Sequence, residues 1–414
     1  MRAMKKIQNV VDWGLCVGCG ACYYYCQKGA VCLKDIKYLG IRPLFREEIC
    51  AQCNECLAIC PGYAVDAYSR INGEGSLYDN NPLIGRSLEV WEGYARDKDI
   101  RYRASSGGII SAIALYCLEK EGMPLVLHTG MHPTMPWTNR TIVSKNRNDL
   151  LGNCGSRYAP SSPCDSLALI EQSEKPCVFI GKPCDTAAVS LLRRMRPALH
   201  EKLGLVLTFF CAGTPCTQGT LDLLEKLDIP HGKVRQIRYR GNGWPGKFSV
   251  TLTESTASKR ELTYHEAWGF LQKYRPYRCH LCPDSTGEFA DIACGDPWYR
   301  EIKEDEEGHS LVLVRTQKGR NIVNASIVHG YMHGVLTDTC VLKKSQQNLL
   351  NKRAAVWGRI IAFRLMGLPA PRYVGFPLFT NWLTLPVSAK VRSVAGTIKR
   401  IIERKYWHPL RLNI

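Results

Sequence analysis

Residues 16–26 read Cys-Val-Gly-Cys-Gly-Ala-Cys-Tyr-Tyr-Tyr-Cys, and residues 50–61 read Cys-Ala-Gln-Cys-Asn-Glu-Cys-Leu-Ala-Ile-Cys-Pro. One spacing is therefore used twice, as Cys16-x2-Cys19-x2-Cys22-x3-Cys26 and as Cys50-x2-Cys53-x2-Cys56-x3-Cys60-Pro61. The first three thiols of such a run wrap three corners of an iron–sulfur cubane. The fourth points away and caps the other cubane. The pattern implies two [4Fe–4S] clusters with crossed ligation: Cys16, Cys19, Cys22 and Cys60 around one, Cys50, Cys53, Cys56 and Cys26 around the other. Zinc is the competing reading, but zinc knuckles use cysteine pairs and commonly recruit histidine. None of the ten His lies in this segment. Gln27 stands where the second copy has Pro61, which loosens the turn without removing a ligand. Gly18, Gly20 and Ala21 leave room for backbone N–H groups to approach the sulfides. Cys32 falls outside the pattern and reads as a small core residue.

The chain has 414 residues, enough for two or three domains, and 20 Cys, of which nine lie in the first 60 positions. Met1 to Asp12 has no apolar leader segment. No run of about 18 apolar residues occurs, so no spanning helix is expected. This points to a cytoplasmic protein whose thiols stay reduced and bind metal rather than form disulfides. The formal charge is +18, and residues 352–414 carry twelve Lys/Arg against Glu403 alone. Nucleic-acid binding would need a recognition fold beside that charge, and none is found.

Three stretches differ in character. Residues 1–75 are cysteine-rich and form the ferredoxin-like module. Turn signals follow at Ile71-Asn72-Gly73-Glu74-Gly75 and Asn80-Asn81-Pro82. From about 85 to 340, helical and strand patterns alternate: a helix over 109–121, a strand over 124–129, strands at 177–180 and 205–210, and helices over 185–195 and 217–227. Such alternation predicts an α/β core with some parallel strands. Residues 233–254, with Gly-Asn-Gly-Trp at 241–244, read as an inserted hairpin. Residues 341–414 form a basic helical tail. The expected fold class is thus mixed α+β and α/β, with a bacterial ferredoxin-like module, an α/β flavin-binding domain and that tail.

Flavin enters because clusters move single electrons, and redox chemistry on an organic substrate needs a group that also handles pairs. Two loops suit it. Ser105, Ser106, Gly107 and Gly108 stand directly before the helix at 109, where a cap, close approach and free N–H groups favour an anion. Gly181, Lys182 and Pro183 follow the strand at 177–180 and precede another helix, the usual ligand position of an α/β sheet. Lys182 reads either as a cation beside a reduced flavin or as a solvated surface residue. No catalytic residue is singled out.

Ser-Ser-Gly-Gly at 105–108, Gly-Lys-Pro-Cys at 181–184, Cys-Ala-Gly at 211–213, Tyr239-Arg240, Cys279-x2-Cys282 and Ala290-Asp-Ile-Ala-Cys-Gly-Asp-Pro-Trp298 resemble the coenzyme F420 hydrogenase/dehydrogenase beta-subunit family over about 85–340. The resemblance implies an α/β flavoprotein binding FAD and at least one [4Fe–4S] cluster within this domain. It implies electron exchange between a ferredoxin-like chain and an organic substrate. Substrates in the family include the deazaflavin coenzyme and a hydroxymethyl chlorophyll, and other relatives serve surface-polysaccharide pathways. The family's usual Gly-Thr-Pro-Cys is Gly-Lys-Pro-Cys here.

Cys184, Cys211, Cys279 and Cys282 lie at strand ends, in loops or in a C-x2-C pair, and are expected to ligate a third [4Fe–4S] cluster. Cys216 and Cys294 compete as ligands. Cys117, Cys154, Cys164, Cys177 and Cys340 have no partner spacing. Asp165 and Asp185 read as helix caps, whereas Asp291 and Asp296, near Trp298, suit either a structural or a site role.

In the tail, Val391, Val394, Ala395, Ile398, Ile401 and Ile402 share a helical face with Lys and Arg elsewhere, the pattern of an interfacial helix. Packing of that helix on the protein's own surface is the alternative. The sequence is therefore expected to encode an iron–sulfur flavin-dependent oxidoreductase. Its partners would be a redox protein, such as a ferredoxin or a hydrogenase or dehydrogenase subunit, and an organic substrate. The tail would make peripheral contact with the inner face of the membrane. A non-catalytic electron-transfer subunit and a redox enzyme of surface-polysaccharide synthesis are the alternatives.

Overall fold

Cys177-Val178-Phe179-Ile180 is apolar without alternation, the signature of a strand buried on both faces. In the computed structural model, which describes residues 4–50, 53–69, 79–253, 259–302, 306–410 and 412, it lies inside an eight-stranded mixed sheet. The strands are β1 (Glu89–Ala95), β2 (Val126–Met131), β3 (Asn139–Ser144), β4 (Cys177–Gly181), β5 (Leu203–Phe209), β6 (Ile292–Gly295), β7 (Ser310–Val314) and β8 (Met332–Thr337). Their order is β8-β1-β7-β6-β5-β4-β2-β3. The four strands β2, β4, β5 and β6 run parallel, and the flanking ones are antiparallel. The expected α/β core is thus present, with antiparallel strands added at both sides.

Helices α1 (Ile109–Glu119), α2 (Pro183–Met195), α3 (Thr217–Lys226) and α4 (Gln317–Val328) connect or cover these strands. Gly107 directly precedes the cap of α1 because a Cβ there would lie 2.7 Å from both the Gly93 carbonyl oxygen and the Ser310 nitrogen. The hairpin expected at 233–254 pairs Val234–Arg238 with Lys247–Leu252, and Lys259–Thr263 adds a third strand. Of the two turn signals, 71–75 lies outside the described residues. The other connects the short pair Asp79–Asn81 and Gly85–Ser87.

The cysteine-rich segment has short helices at Ala21–Tyr25 and Glu55–Ala58 and a hairpin of Val31–Ile36 with Gly40–Phe45. It docks on the α/β part through Ser162, whose hydroxyl donates to the Gly18 carbonyl (2.6 Å), and through Cys164 N–H to the Cys19 carbonyl (3.0 Å). Gly20, at φ +87°, lies so close that a Cβ would meet the Asp165 nitrogen at 2.9 Å. Left-handed backbone and close approach both demand glycine there.

The C-terminal stretch holds α5 (Gln347–Ala354), α6 (Val356–Leu365), α7 (Leu378–Leu383) and α8 (Val387–Glu403). It is packed against the rest of the molecule. Val356, Ile360, Phe363 and Ile401 share one apolar cluster with Ile7, Val10, Leu15 and Cys60 from the N-terminal segment and with Tyr277 and Leu281. Arg372–Val374 pairs in parallel with Ala64–Asp66. Arg353, only 1 % exposed, bonds Glu288, which is equally buried, and so ties α5 to the β5–β6 connection. Removing one partner of such a pair leaves a charge buried without its counter-ion, at about 3–5 kcal/mol. Arg353→Met is expected to lower unfolding free energy by that amount in denaturant titration.

Candidate functional site

The parallel strands end at Gly181, Phe209 and Gly295, and the loops leaving them open on one edge of the sheet. Open α/β sheets take their ligands at this edge. A cavity there is lined by Cys184, at the start of α2, by Cys211, just past β5, and by Cys279 and Cys282 from the turn before β6. Cys16 lines the same cavity. Cys184 lies in the field of Cys211 and Cys282, and Cys211 in that of Cys279 and Cys282. Cys184 is held well above the ordinary thiol range by burial, with Asp185, Cys211 and Cys282 adding to it. Burial pushes Cys211 up to about 11, offset by the Lys352 ammonium and reinforced by Cys279 and Cys282. Asp284 also lines the cavity, but its carboxylate accepts the N–H groups of Thr286, Gly287 and Glu288. The cavity is thus lined by thiols, Cys16 and Cys216 among them, although among the described residues no three His, Cys, Asp or Glu side chains are arranged as a ready-made metal site.

Lys182, Arg278, Lys352 and Arg275 stand beside these sulfurs, Arg275 donating to the Ala212 carbonyl (2.8 Å). Lys182 is buried, not solvated, and its Nζ donates to the Ser161 carbonyl (3.0 Å), the Ser161 hydroxyl (2.9 Å) and Asp185 Oδ2 (2.7 Å). Burial draws its pKa down, but Asp185 and the thiols of Cys184 and Cys211 more than offset this and keep it protonated. Asp185 is thus an ion-pair partner as well as the acceptor of the Lys182 N–H at the helix start. Arg278 is buried in the field of Cys282, Cys184 and Cys279, and donates to the Pro61 carbonyl (2.9 Å) beside Cys60. Lys352, from α5, donates to the carbonyls of Cys211 and Ala212 (3.3 Å each). Neither Arg278 nor Lys352 stands out in the sequence, because no local motif marks a cation that arrives from a distant element.

The N-terminal cysteines fall into two groups. Cys22 is raised by burial and then by Cys16, Cys19 and Cys60, with Cys56 the weakest neighbour. Cys56 is pushed up to about 12 by burial and then by Cys26, Cys53 and Cys50. The strongest thiol neighbours of Cys22 are thus Cys16, Cys19 and Cys60, and those of Cys56 are Cys26, Cys53 and Cys50. Cys164, which has no spacing signal, is wholly buried; its thiol donates to the Asp185 carbonyl (3.7 Å), and its presence beside Cys19 draws that thiol below the ordinary range.

The two loops considered for a flavin share the carboxyl edge but stand apart on it. Gly181, Lys182 and Pro183 sit at the thiol cavity beside β4, whereas Ser105–Gly108 lie against β1 and β7. From β4 to β7 is three strand spacings, about 14 Å. A compact ligand cannot touch both loops, and an extended dinucleotide can. The serine hydroxyls are engaged within the protein: Ser105 accepts from Ser156 N–H (2.5 Å), and Ser106 donates to the His309 carbonyl (2.5 Å). What Ser105–Gly108 offers a ligand is backbone.

Between the loops, Asp296 accepts from both Arg240 terminal nitrogens (2.9 and 2.7 Å) and from the Trp244 indole (3.0 Å). Tyr264 and Trp298 stack beside this pair with ring centroids 5.1 Å apart. Asp291 is structural, accepting Val206 N–H and the Thr316 hydroxyl. Cys294 is buried in β6 and raised by burial alone, with no thiol acting on it. Cys216 also lines the cavity, and burial raises its thiol.

Residues 90–168 and 175–336 match the family models described as coenzyme F420 hydrogenase/dehydrogenase, beta subunit N-term and C terminus. The chain belongs to this family. Among its relatives, a subunit of the F(420)H(2) dehydrogenase of Methanosarcina mazei is 24% identical over 321 residues, which span 76% of this chain and 83% of the relative. The coenzyme F420-dependent sulfite reductase of Methanocaldococcus jannaschii is 23% identical across 77% of this chain, which spans 47% of that protein. A chain of the F420-reducing [NiFe] hydrogenase complex from Methanosarcina barkeri superposes with a TM-score of 0.54 at 20% identity, over 72% of this chain and 99% of its own. That likeness concerns the fold. The cysteine-rich segment precedes both family matches.

The buried Lys182–Asp185 pair gives a stability prediction. Lys182→Met should cost about 3–5 kcal/mol because Asp185 is left charged and wholly buried. Lys182→Met/Asp185→Leu should recover most of that loss in the same denaturant titration, and the difference reads the pair's coupling.

Proposed function

We propose that the chain is an iron–sulfur, flavin-dependent oxidoreductase subunit that exchanges electrons between a redox protein and an organic substrate of the deazaflavin class. The observation that carries this reading is the convergence of Cys184, Cys211, Cys279 and Cys282 on a cavity that Cys16 also lines. When bound, the clusters would supply single-electron transfer, and FAD the exchange between single electrons and a hydride. The two N-terminal cysteine groups would each hold a [4Fe–4S] cluster, and the cavity thiols a third. Lys182, Arg278 and Lys352 would offset the negative charge that four thiolates bring into a buried space. Arg278 reaches both the cavity thiols and the Pro61 carbonyl, so it holds the N-terminal segment against this site. The backbone at Ser105–Gly108 and the Gly181-Lys182-Pro183 turn would hold the two ends of FAD along the sheet edge.

A second reading is a non-catalytic electron-transfer subunit, and the name of the Methanosarcina mazei relative, a dehydrogenase subunit, favours it. Turnover of reduced deazaflavin by the isolated chain with an artificial acceptor separates the two. Anaerobically purified protein is expected to carry about twelve iron atoms and one FAD per chain. Cys279→Ala/Cys282→Ala should retain about eight iron atoms. A wild-type content of about eight would remove the third cluster. Lys352→Met should lower the reduction potential of one cluster and leave the other two unchanged, because a nearby cation favours the more negative reduced state. Redox titration followed by electron paramagnetic resonance reads this directly.

A further inference from the structure

Helix α8 packs on the protein through its hydroxyl side. Ser393, Thr397 and Ile401, spaced by four, are its buried residues. Ser393 accepts from the Trp382 indole (3.0 Å), and Thr397 bonds the Tyr277 hydroxyl (3.1 Å). Gly358 of α6 admits this contact, since a Cβ there would strike the Ser393 hydroxyl at 2.1 Å. The apolar stripe faces another way. Val387 is 73%, Val391 59% and Ile402 51% exposed, Ala395 is exposed, and Val394 and Ile398 are half-buried. At 3.6 residues per turn these six fall within about 100° of the helix circumference, along a helix about 25 Å long. Burial is the usual fate of such a stripe, and this helix inverts it. The α7 residues Phe379 (48% exposed) and Leu383 (49%) extend the exposed apolar surface just before Val387.

The charges around the stripe have one sign. Arg392 and Lys399 project along one flank, with Arg404 and Lys405 at the C-terminal end, while the half-buried Lys390 sits over the Trp382 ring on the packed side. Glu403 is the only acid in the helix, and it pairs with Lys399 at 3.7 Å. No helix among the described residues is long and apolar enough to cross a membrane. An exposed valine and isoleucine stripe with cations along one flank and at its C-terminal end complements a surface that is apolar in its interior and anionic at its boundary. We propose that α8 lies in the interface of an anionic lipid bilayer, inserting Val387, Val391, Ala395, Ile398 and Ile402 between headgroups while Arg392 and Lys399 meet lipid phosphates. This docks the protein on a membrane surface without spanning it. The proposal stands apart from the redox reading and does not need bound cofactors.

The test is flotation of the full chain with vesicles of phosphatidylcholine and phosphatidylglycerol, compared with phosphatidylcholine alone, at low and high salt. Binding is expected only to the anionic vesicles at low salt. Arg392→Gln/Lys399→Gln should weaken it about fivefold per cation removed, and Val391→Asp/Ile402→Asp should abolish it. Both pairs are on the outer surface, so the thermal unfolding curve by circular dichroism should not move. Failure of the wild-type chain to bind anionic vesicles overturns the proposal. So does binding that survives Val391→Asp/Ile402→Asp. A self-association in sedimentation that this variant abolishes would also overturn it, because the stripe would then be covered by a second copy.

Discussion

Four sulfurs meeting in a buried cavity repel one another as soon as they lose their protons, so the place where they meet has to bring positive charge with it. Lys182 comes from the strand–helix turn that also carries Cys184, Arg278 from the turn that carries Cys279 and Cys282, and Lys352 from a helix some 70 residues further along. Each cation is also bonded to backbone or side-chain oxygen, so none floats. The cost of burying a lysine and an arginine is met by partners on the spot: Asp185 and Ser161 for one, the Pro61 carbonyl and the thiols for the other. Much of the architecture around the sheet edge can be read as what holds these charges in place.

The same logic explains why three stretches of different composition end as one packed body. The cysteine-rich segment shares its core with the rest of the molecule, placing Ile7, Val10, Leu15 and Cys60 against Tyr277, Leu281 and the C-terminal helices. The C-terminal stretch in turn supplies Lys352 to the cavity and Arg353 to Glu288. Its high positive charge is therefore partly internal machinery, and partly the outward-facing set on α8.

Helix α8 shows how a correct pattern can leave its orientation open. The apolar stripe is legible from spacing, and so is the helix. Which face packs inward is decided by what the neighbouring elements offer. α6 presents Gly358, and the turn before β6 presents the Tyr277 hydroxyl, so the surface that receives α8 suits small hydroxyl residues. Ser393 and Thr397 fit that surface better than valine, and the valines turn outward.

Local regularities carried the rest of what could be read in advance. The eight N-terminal cysteines stand out through one repeated spacing, which is local and so visible in the chain itself. The strands at 177–181 and 203–209 and the helices that follow them are visible because an element buried on one or both faces must repeat its apolar residues. The candidate ligands Cys184, Cys211, Cys279 and Cys282 could be named from the sequence, yet Cys216 and Cys294 stood equally well beside them. The tertiary structure sets Cys294 apart, because it lies within β6, while Cys216 opens on the same cavity as the four others. Lys352, Arg278 and Cys164, whose N–H bonds the Cys19 carbonyl, leave no mark in the sequence at all. Their roles are set by approach across long stretches of chain, which depends on how the sheet, the N-terminal segment and the C-terminal helices pack together.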